Sequence, residues 1–175
     1  MKKNIIALIA IALIATAGLF ATDSKTLDLN THISGINLMS LSSVQLTTST
    51  VTAYNTALAS PVSTATLNSS AASGTLAYLN ILSNKRTGFT VTVTATHLAG
   101  TNGNPYTIDY SVTAGSASYD TSASTHTGNT LAPSANLTGL TAFSYAVSAD
   151  LNDSQYAAAL EDTYTGTVTF TYTAS

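Results

Sequence analysis

The chain contains no cysteine, and this absence removes several kinds of chemistry at once. It excludes a disulfide framework, a zinc–thiolate site, a thiol nucleophile and a lipid-modified N-terminal cysteine. The fold therefore has to be held together by its hydrophobic core alone.

Charge is also scarce, since charged residues make up 7% of the chain, against a norm of about 25%. After residues 1–21 the positive side chains are Lys25, Lys85 and Arg86. Phosphate binding needs clustered Lys and Arg, so we expect no nucleic-acid partner. The polar surface is built instead from Thr, Ser and Asn, and Thr is well suited to a pleated strand.

No constellation of catalytic or metal-binding residues is visible. The histidines His32, His97 and His126 are far apart in sequence, and none forms a zinc-type pair. No Gly-x-Ser-x-Gly elbow occurs, and the carboxylates between residues 150 and 162 lack the spacing of a calcium loop. We therefore expect a protein that is not an enzyme and that uses neither a cofactor nor a metal.

The first residues are typical of a targeting segment. Lys2 and Lys3 precede an apolar run over residues 5–20, and Ala21 is a small residue at its end. This pattern predicts a signal peptide over residues 1–21, cleaved on export. The alternative is a membrane anchor, but the run is shorter than the roughly 20 residues that span a bilayer. We expect no membrane span after cleavage.

The remaining sequence favours an all-β fold. Polar and apolar residues alternate in several short stretches, and turn residues separate them. We predict strands over residues 26–33, 44–54, 75–82 and 142–147, a hairpin over 88–113 around Asn102-Gly103, and a final strand after 164. Residues 75–82 are apolar at nearly every position, which suits a central strand buried on both faces or, as the alternative, a short buried helix. Residues 55–73 are predicted as a loop with a short strand near 62–67, and 115–131 as a long loop with room for one short strand. A short helix is predicted at 155–160, capped by Asp153 or Ser154. About seven strands in this arrangement indicate an antiparallel β-sandwich.

The final strand has one apolar face. Val168, Phe170 and Tyr172 alternate with threonines almost to the last residue. A half-buried strand at this position either pairs both edges within the fold or leaves one edge for another chain. The sequence leaves these two possibilities open.

The run Tyr164-x-Gly166-x-Val168-x-Phe170-x-Tyr172 resembles the ending of bacterial fimbrial subunits. The likeness is strongest to the cysteine-free major pilins of the alternate chaperone–usher class, and spore-coat-U-like secreted domains end similarly. The resemblance implies an immunoglobulin-like sandwich that lacks its last strand. It also implies a periplasmic chaperone as a transient partner and further copies of the chain as permanent partners.

In such fibres the N-terminal segment of one subunit completes the next by β-strand addition. The resemblance then divides the chain into a donated segment, residues 22–34, and a single domain, residues 35–175. The inserted side chains would be Leu27, Leu29 and Ile33, and the receiving face would be Val168, Phe170 and Tyr172. The implied function is a surface fibre or pilus subunit that supports adhesion and passes through the periplasm.

A second hypothesis is a self-complete secreted sandwich. In that case Tyr164 is a corner tyrosine, whose hydroxyl bonds to nearby backbone such as that of Leu160. This monomer would bind a ligand or host surface through the 115–131 loop and the Lys85-Arg86 turn.

Overall fold

The computed structural model describes residues 28–67, 74–132 and 136–175. The chain divides into two units, Met1–Ile33 and Ser34–Ser175. The described part of the first unit has no helix or strand, and its Leu29 and Ile33 side chains are 84% and 78% exposed. The predicted signal peptide and Leu27 lie outside the described residues. Residues 28–33 therefore differ from the strand predicted there, because alternation specifies a face but supplies no partner strand.

The described part of the second unit is all-β apart from two short helices. Its strands in chain order are β1 (Asn37–Ser42), β2 (Ala77–Ser83), β3 (Phe89–Ala95), β4 (Leu98–Gly100), β5 (Thr107–Ile108), β6 (Tyr110–Ala114), β7 (Ala117–Asp120), β8 (Thr130–Leu131), β9 (Thr141–Leu151), β10 (Tyr164–Thr165) and β11 (Val168–Ala174). The helices are α1 (Val51–Leu58) and α2 (Asp153–Ala158).

These strands form three antiparallel sheets. The largest has the order β1-β2-β9-β6-β7, and two three-stranded sheets have the orders β11-β3-β8 and β10-β4-β5. All ladders between the strands of the described residues are antiparallel. The predicted all-β class and its antiparallel sheets are confirmed.

One hydrophobic core joins the three sheets. Leu79 and Ile81 of β2 share it with Val91 and Val93 of β3, and all four side chains are fully buried. Ile108 of β5 belongs to the same cluster. The alternation of β3 places its valines in this core and its threonines on the opposite face.

A second, smaller core lies on the other face of β2. Leu82 packs there with Leu46 and with Tyr54 of α1. This explains why β2 is apolar on nearly every residue, as predicted for a central strand that is buried on both faces.

The strand predicted over residues 44–54 is wrong. Thr50 caps α1 by accepting a hydrogen bond from the Ala53 backbone N–H at 3.1 Å, and the helix begins at Val51. Tyr54 and Ala57 lie three residues apart and form its buried face, a helical spacing. Packing onto the sheet outweighs the β propensity of the Thr and Val residues.

The hairpin predicted over residues 88–113 is also wrong. β3 pairs with β11 and β8, whereas β6 pairs with β7 and β9. The Asn102-Gly103 turn instead joins β4 to β5, where Leu98 lies opposite Ile108. Local strand patterns do not specify which strands pair.

Three smaller differences from the predicted secondary structure concern a helix cap and two loops. The cap of α2 is Asn152, whose side chain accepts from the Gln155 N–H at 3.1 Å, rather than Asp153 or Ser154. Residues 62–67 contain no strand, although Pro61 forms a single bridge with Ser42. The 115–131 segment contains β7 and β8, so it is less of a loop than predicted.

Threonines cover the outer face of the β11–β3 pair. Thr169, Thr171 and Thr173 lie directly opposite the β3 residues Thr94, Thr92 and Thr90. Cross-strand Thr pairs stabilise a sheet by roughly 0.2–1 kcal/mol each. This face stays polar without carrying charge.

In the described part of the chain, no helix has the length and apolar character to cross a membrane.

Candidate functional site

The last strand has one free edge. β11 pairs along its whole length with β3, from Val168 opposite Ala95 to Ala174 opposite Phe89. On its other side no strand of the described residues pairs with it, since β11 is the edge strand of its sheet. Such an edge presents unpaired backbone N–H and C=O groups that another strand can use.

A groove runs beside this free edge, with a cavity volume of about 630 Å³. We call it the β11 groove. Its floor comes from the inner face of the five-stranded sheet: Ala77, Val112, Val147, Ala149 and Leu151. Val168 and Phe170 of β11 form one wall, and residues 62–67 line the other side. Among the described residues that line it, Asp162 is the only charged one.

The opposite side of the fold is closed by backbone hydrogen bonds. The Ser118 N–H of β7 donates to the Gly128 carbonyl at 2.9 Å, and the Val93 N–H of β3 donates to the Asn129 carbonyl at 2.8 Å. Residues 128 and 129 thus connect the edge of the large sheet to the β3 sheet. The groove is therefore a feature of the β11 side.

One end of the groove carries a polar cluster. The Tyr172 hydroxyl donates to Asn37 Oδ1 at 2.8 Å, and Ser83 Oγ donates to the same oxygen at 2.9 Å. The Tyr172 and Ser83 oxygens are 3.3 Å apart. The Tyr172 ring also stacks on Phe89, with centroids 4.9 Å apart. These bonds connect β11 to β1 and β2 across the open side.

Tyr164 lies towards the other end of the groove. Its hydroxyl donates to the Leu160 carbonyl at 2.9 Å and accepts from Asn104 Nδ2 at 2.8 Å. The backbone bond is the one expected for a corner tyrosine. It fixes the turn before β10 whether or not the fold is complete, so it does not separate the two hypotheses.

Gly166 allows a close approach at the junction of β10 and β11. A Cβ at this position would lie 2.8 Å from the Thr96 carbonyl oxygen and 3.0 Å from that of His97. Backbone atoms cannot move aside as a flexible side chain can, so any larger residue would displace the strand. The lack of a side chain at Gly166 thereby lets the junction of β10 and β11 lie close to the backbone of Thr96 and His97.

Burial and hydrogen bonding change the acidity of two groups near the groove. Burial raises the pKa of Tyr110, a residue of the lining. For Asp162, desolvation acts to raise the pKa, but hydrogen bonds from the Thr163 N–H, from the Asn102 backbone and side chain, and from Thr101 outweigh it and lower the pKa. The carboxylate of Asp162 is thus kept ionised at one end of the groove.

Of the three residues predicted for the receiving face, Val168 and Phe170 line the groove, whereas Tyr172 lies beyond its lining in the polar cluster. Tyr164 and Gly166 also line the groove. The floor was missed by sequence reasoning. Its alternating residues in β9 were visible, but the strand order that places β9 opposite β11 was not.

The alternative ligand surface is not brought together. The Lys85-Arg86 turn follows β2, while the loop after β7 lies at the edge of the sheet, separated from β2 by β9 and β6. In that loop His126 stacks on Tyr119 with ring centroids 3.8 Å apart. The described residues contain no group of three or more side chains suited to hold a metal ion.

Comparisons with protein-family models, curated proteins and solved structures find no match for this chain.

Proposed function

We propose that this chain is a non-enzymatic structural subunit of a bacterial surface fibre, assembled by β-strand exchange. The observation that carries the proposal is the apolar β11 groove beside an unpaired strand edge. The occupant is residues 22–34 of a second copy, after cleavage of residues 1–21 on export. A periplasmic chaperone would occupy the same groove before assembly, and the fibre would support adhesion at the cell surface.

The strand order supports an immunoglobulin-like sandwich that lacks one strand. In that fold one sheet has the order A-B-E-D, and strands C, F and G form the other. Here β1, β2, β9 and β6 correspond to A, B, E and D, while β3 and β11 correspond to C and F. Strand G would pair with the free edge of β11, which is where the groove lies.

The N-terminal segment has the properties of the missing strand. Leu27, Leu29 and Ile33 alternate with Asp28, Asn30 and His32. The described members Leu29 and Ile33 are largely exposed, which is unusual for large aliphatic side chains. An alternating segment with exposed apolar side chains and an apolar groove with a free edge are complementary in shape and chemistry.

Burial of the inserted side chains favours assembly. Moving an aliphatic side chain from water into a core contributes about 1.5–3 kcal/mol, so three of them contribute roughly 5–9 kcal/mol. Backbone hydrogen bonds along the new ladder add to this. The low surface charge of the chain gives little repulsion between copies.

The test uses the exported chain with two matched pairs of substitutions. Leu29→Asp with Ile33→Asp places charges at inserted positions, and Asn30→Asp with His32→Asp places the same charges on the alternate face. We expect the first variant to remain monomeric by light scattering and electron microscopy, and the second to polymerise. The melting temperature of the first should be unchanged, because both side chains are exposed in the subunit.

Deletion of residues 22–34 should abolish the polymer and leave chaperone binding intact. Undiminished fibres from the Leu29→Asp, Ile33→Asp variant or from the deleted chain would refute the proposal.

A further inference from the structure

The polar cluster at one end of the β11 groove limits how far an apolar strand can slide along the groove. We propose that the Tyr172 cluster, formed by Tyr172, Asn37 and Ser83, acts as a stop that sets the register of the inserted segment. This inference rests on the proposed function, because it requires strand insertion. Beyond strand exchange itself, it identifies three residues that determine which side chain of one copy lies opposite which position of the next.

The cluster is held in place from two directions. Asn37 Oδ1 accepts hydrogen bonds from both Tyr172 and Ser83, and Ser83 is fully buried. Stacking on Phe89 fixes the Tyr172 ring, so the hydroxyl cannot swing away without losing that contact. The lining of the groove ends at Phe170, one inward position before Tyr172.

The groove wall and the segment have the same repeat. On the wall, Tyr164, Val168 and Phe170 pack against the core and line the groove, and Gly166 lies at the same two-residue spacing. The corresponding positions of the segment are 27, 29, 31 and 33, which span the same six residue steps, roughly 20 Å of extended chain. Directly opposed residues of an antiparallel pair point to the same side of the sheet. An antiparallel segment therefore fits with Leu27 opposite Phe170 and Ile33 opposite Tyr164.

Neighbouring antiparallel registers are disfavoured by the cluster and by charge. A shift of two residues towards the cluster would bring Leu27 opposite Tyr172, beyond the apolar lining and against a hydroxyl that is hydrogen-bonded to Asn37. A shift in the other direction would leave Phe170 uncovered and bring Ile33 opposite the ionised Asp162. In the proposed register Lys25 lies opposite Tyr172 and residues 22–24 lie past it, so only polar residues stand outside the apolar lining.

A parallel segment is disfavoured for a related reason. It would place Ile33 near the cluster, and the donor chain would then have to continue past the stop into its own domain. In the antiparallel arrangement the donor enters at the open end, near Tyr164, and only its polar N-terminal residues meet the cluster.

The test uses cysteine pairs, which are informative because the natural chain has no cysteine. Asp28→Cys is combined in the full chain with Thr169→Cys, with Thr171→Cys or with Thr165→Cys. These pairs report the proposed register, a two-residue shift towards the cluster and a parallel segment, in that order. A disulfide forms only when the Cα atoms lie within about 7 Å. The fibres are exposed to a mild oxidant and separated on a non-reducing denaturing gel.

We expect the 28–169 pair to give a ladder of covalently joined copies, and the other pairs to give little. Tyr172→Phe keeps the ring and removes the hydroxyl, so it should raise the 28–171 product relative to the 28–169 product by about tenfold. Asn37→Leu should have the same effect from the β1 side. Asn37→Asp keeps an acceptor oxygen and is the matched control, with the original pattern expected.

The outcomes separate the register stop from the proposed function. Fibres that cross-link mainly through 28–171 or 28–165 would overturn the register stop but not strand exchange. The same conclusion would follow if Tyr172→Phe and Asn37→Leu left the cross-linking pattern unchanged. Failure of the cysteine-free chain to form any polymer would overturn both.

Discussion

Asn80 Oδ1 accepts a hydrogen bond from the Leu46 backbone N–H at 3.0 Å, although the two residues are 34 positions apart in the sequence. The same amide oxygen accepts from Ser144 Oγ, and the nitrogen donates to Ser42 Oγ and to the Val44 carbonyl. Asn80 is fully buried, so this side chain anchors the segment before α1 to the outer face of β2. A buried amide with all its hydrogen bonds made is stabilising, whereas its removal leaves several buried groups without partners.

We therefore expect Asn80→Ala to lower the free energy of unfolding by about 3 kcal/mol. The exposed Asn55 of α1 provides the control, because Asn55→Ala should change stability by less than about 0.5 kcal/mol. Urea denaturation of both variants measures the difference. Equal stabilities would show that the network contributes nothing.

Gly166→Ala should destabilise the subunit by about 1–3 kcal/mol, because the added methyl group meets the Thr96 and His97 carbonyl oxygens. Gly139→Ala is matched to it, since a Cβ at Gly139 has no neighbour within 4 Å. Thermal unfolding of the two variants compares them. A Gly166 variant as stable as the Gly139 variant would contradict the close approach.

Tyr164→Phe should cost about 1–2 kcal/mol, because it leaves the Leu160 carbonyl and Asn104 Nδ2 without their shared partner. Tyr106, which is 46% exposed, serves as the control, and Tyr106→Phe should be nearly neutral. Denaturant midpoints at constant slope give the comparison. If the two substitutions cost the same, the tyrosine bond does not stabilise the turn.

Acid should weaken the fold through Asp162. Its folded-state pKa is lowered, so its contribution is fully present above the unfolded value, about 3.9, and is lost as the pH falls through the lower folded value. Asp162→Asn should therefore flatten the fall of stability below about pH 4. Asp150→Asn, on the exposed side of β9, is the control. Unfolding curves between neutral and acidic pH test this, and an unchanged acid slope in Asp162→Asn would contradict it.

The sequence predicted the elements whose pattern is local. Alternation in residues 89–95 and 168–174 identified β3 and β11, and the continuous apolar run identified β2. The helix α1 was missed, although Thr50 as a cap, followed by Tyr54 and Ala57 at helical spacing, was a readable signal. Threonine favours strands and also caps helices, so composition alone misled.

The candidate site was predictable on one side only. Val168 and Phe170 were identified as the wall, because a strand's own sequence records which face is apolar. The floor depends on β9 lying between β2 and β6, and the polar end depends on Asn37 lying within reach of Tyr172. Such long-range pairings are set by the packing of the whole domain, which a single sequence does not display.

Two backbone hydrogen bonds, from Ser118 to Gly128 and from Val93 to Asn129, close one side of the domain. In the proposed fibre each copy therefore offers one acceptor and one donor, and these are different surfaces. Heterologous contacts of this kind form an open filament unless the rotation between successive copies closes a ring. Growth would be head-to-tail and unbranched. The two ends of a filament would be chemically distinct, because one end would carry an empty β11 groove and the other an unpaired N-terminal segment.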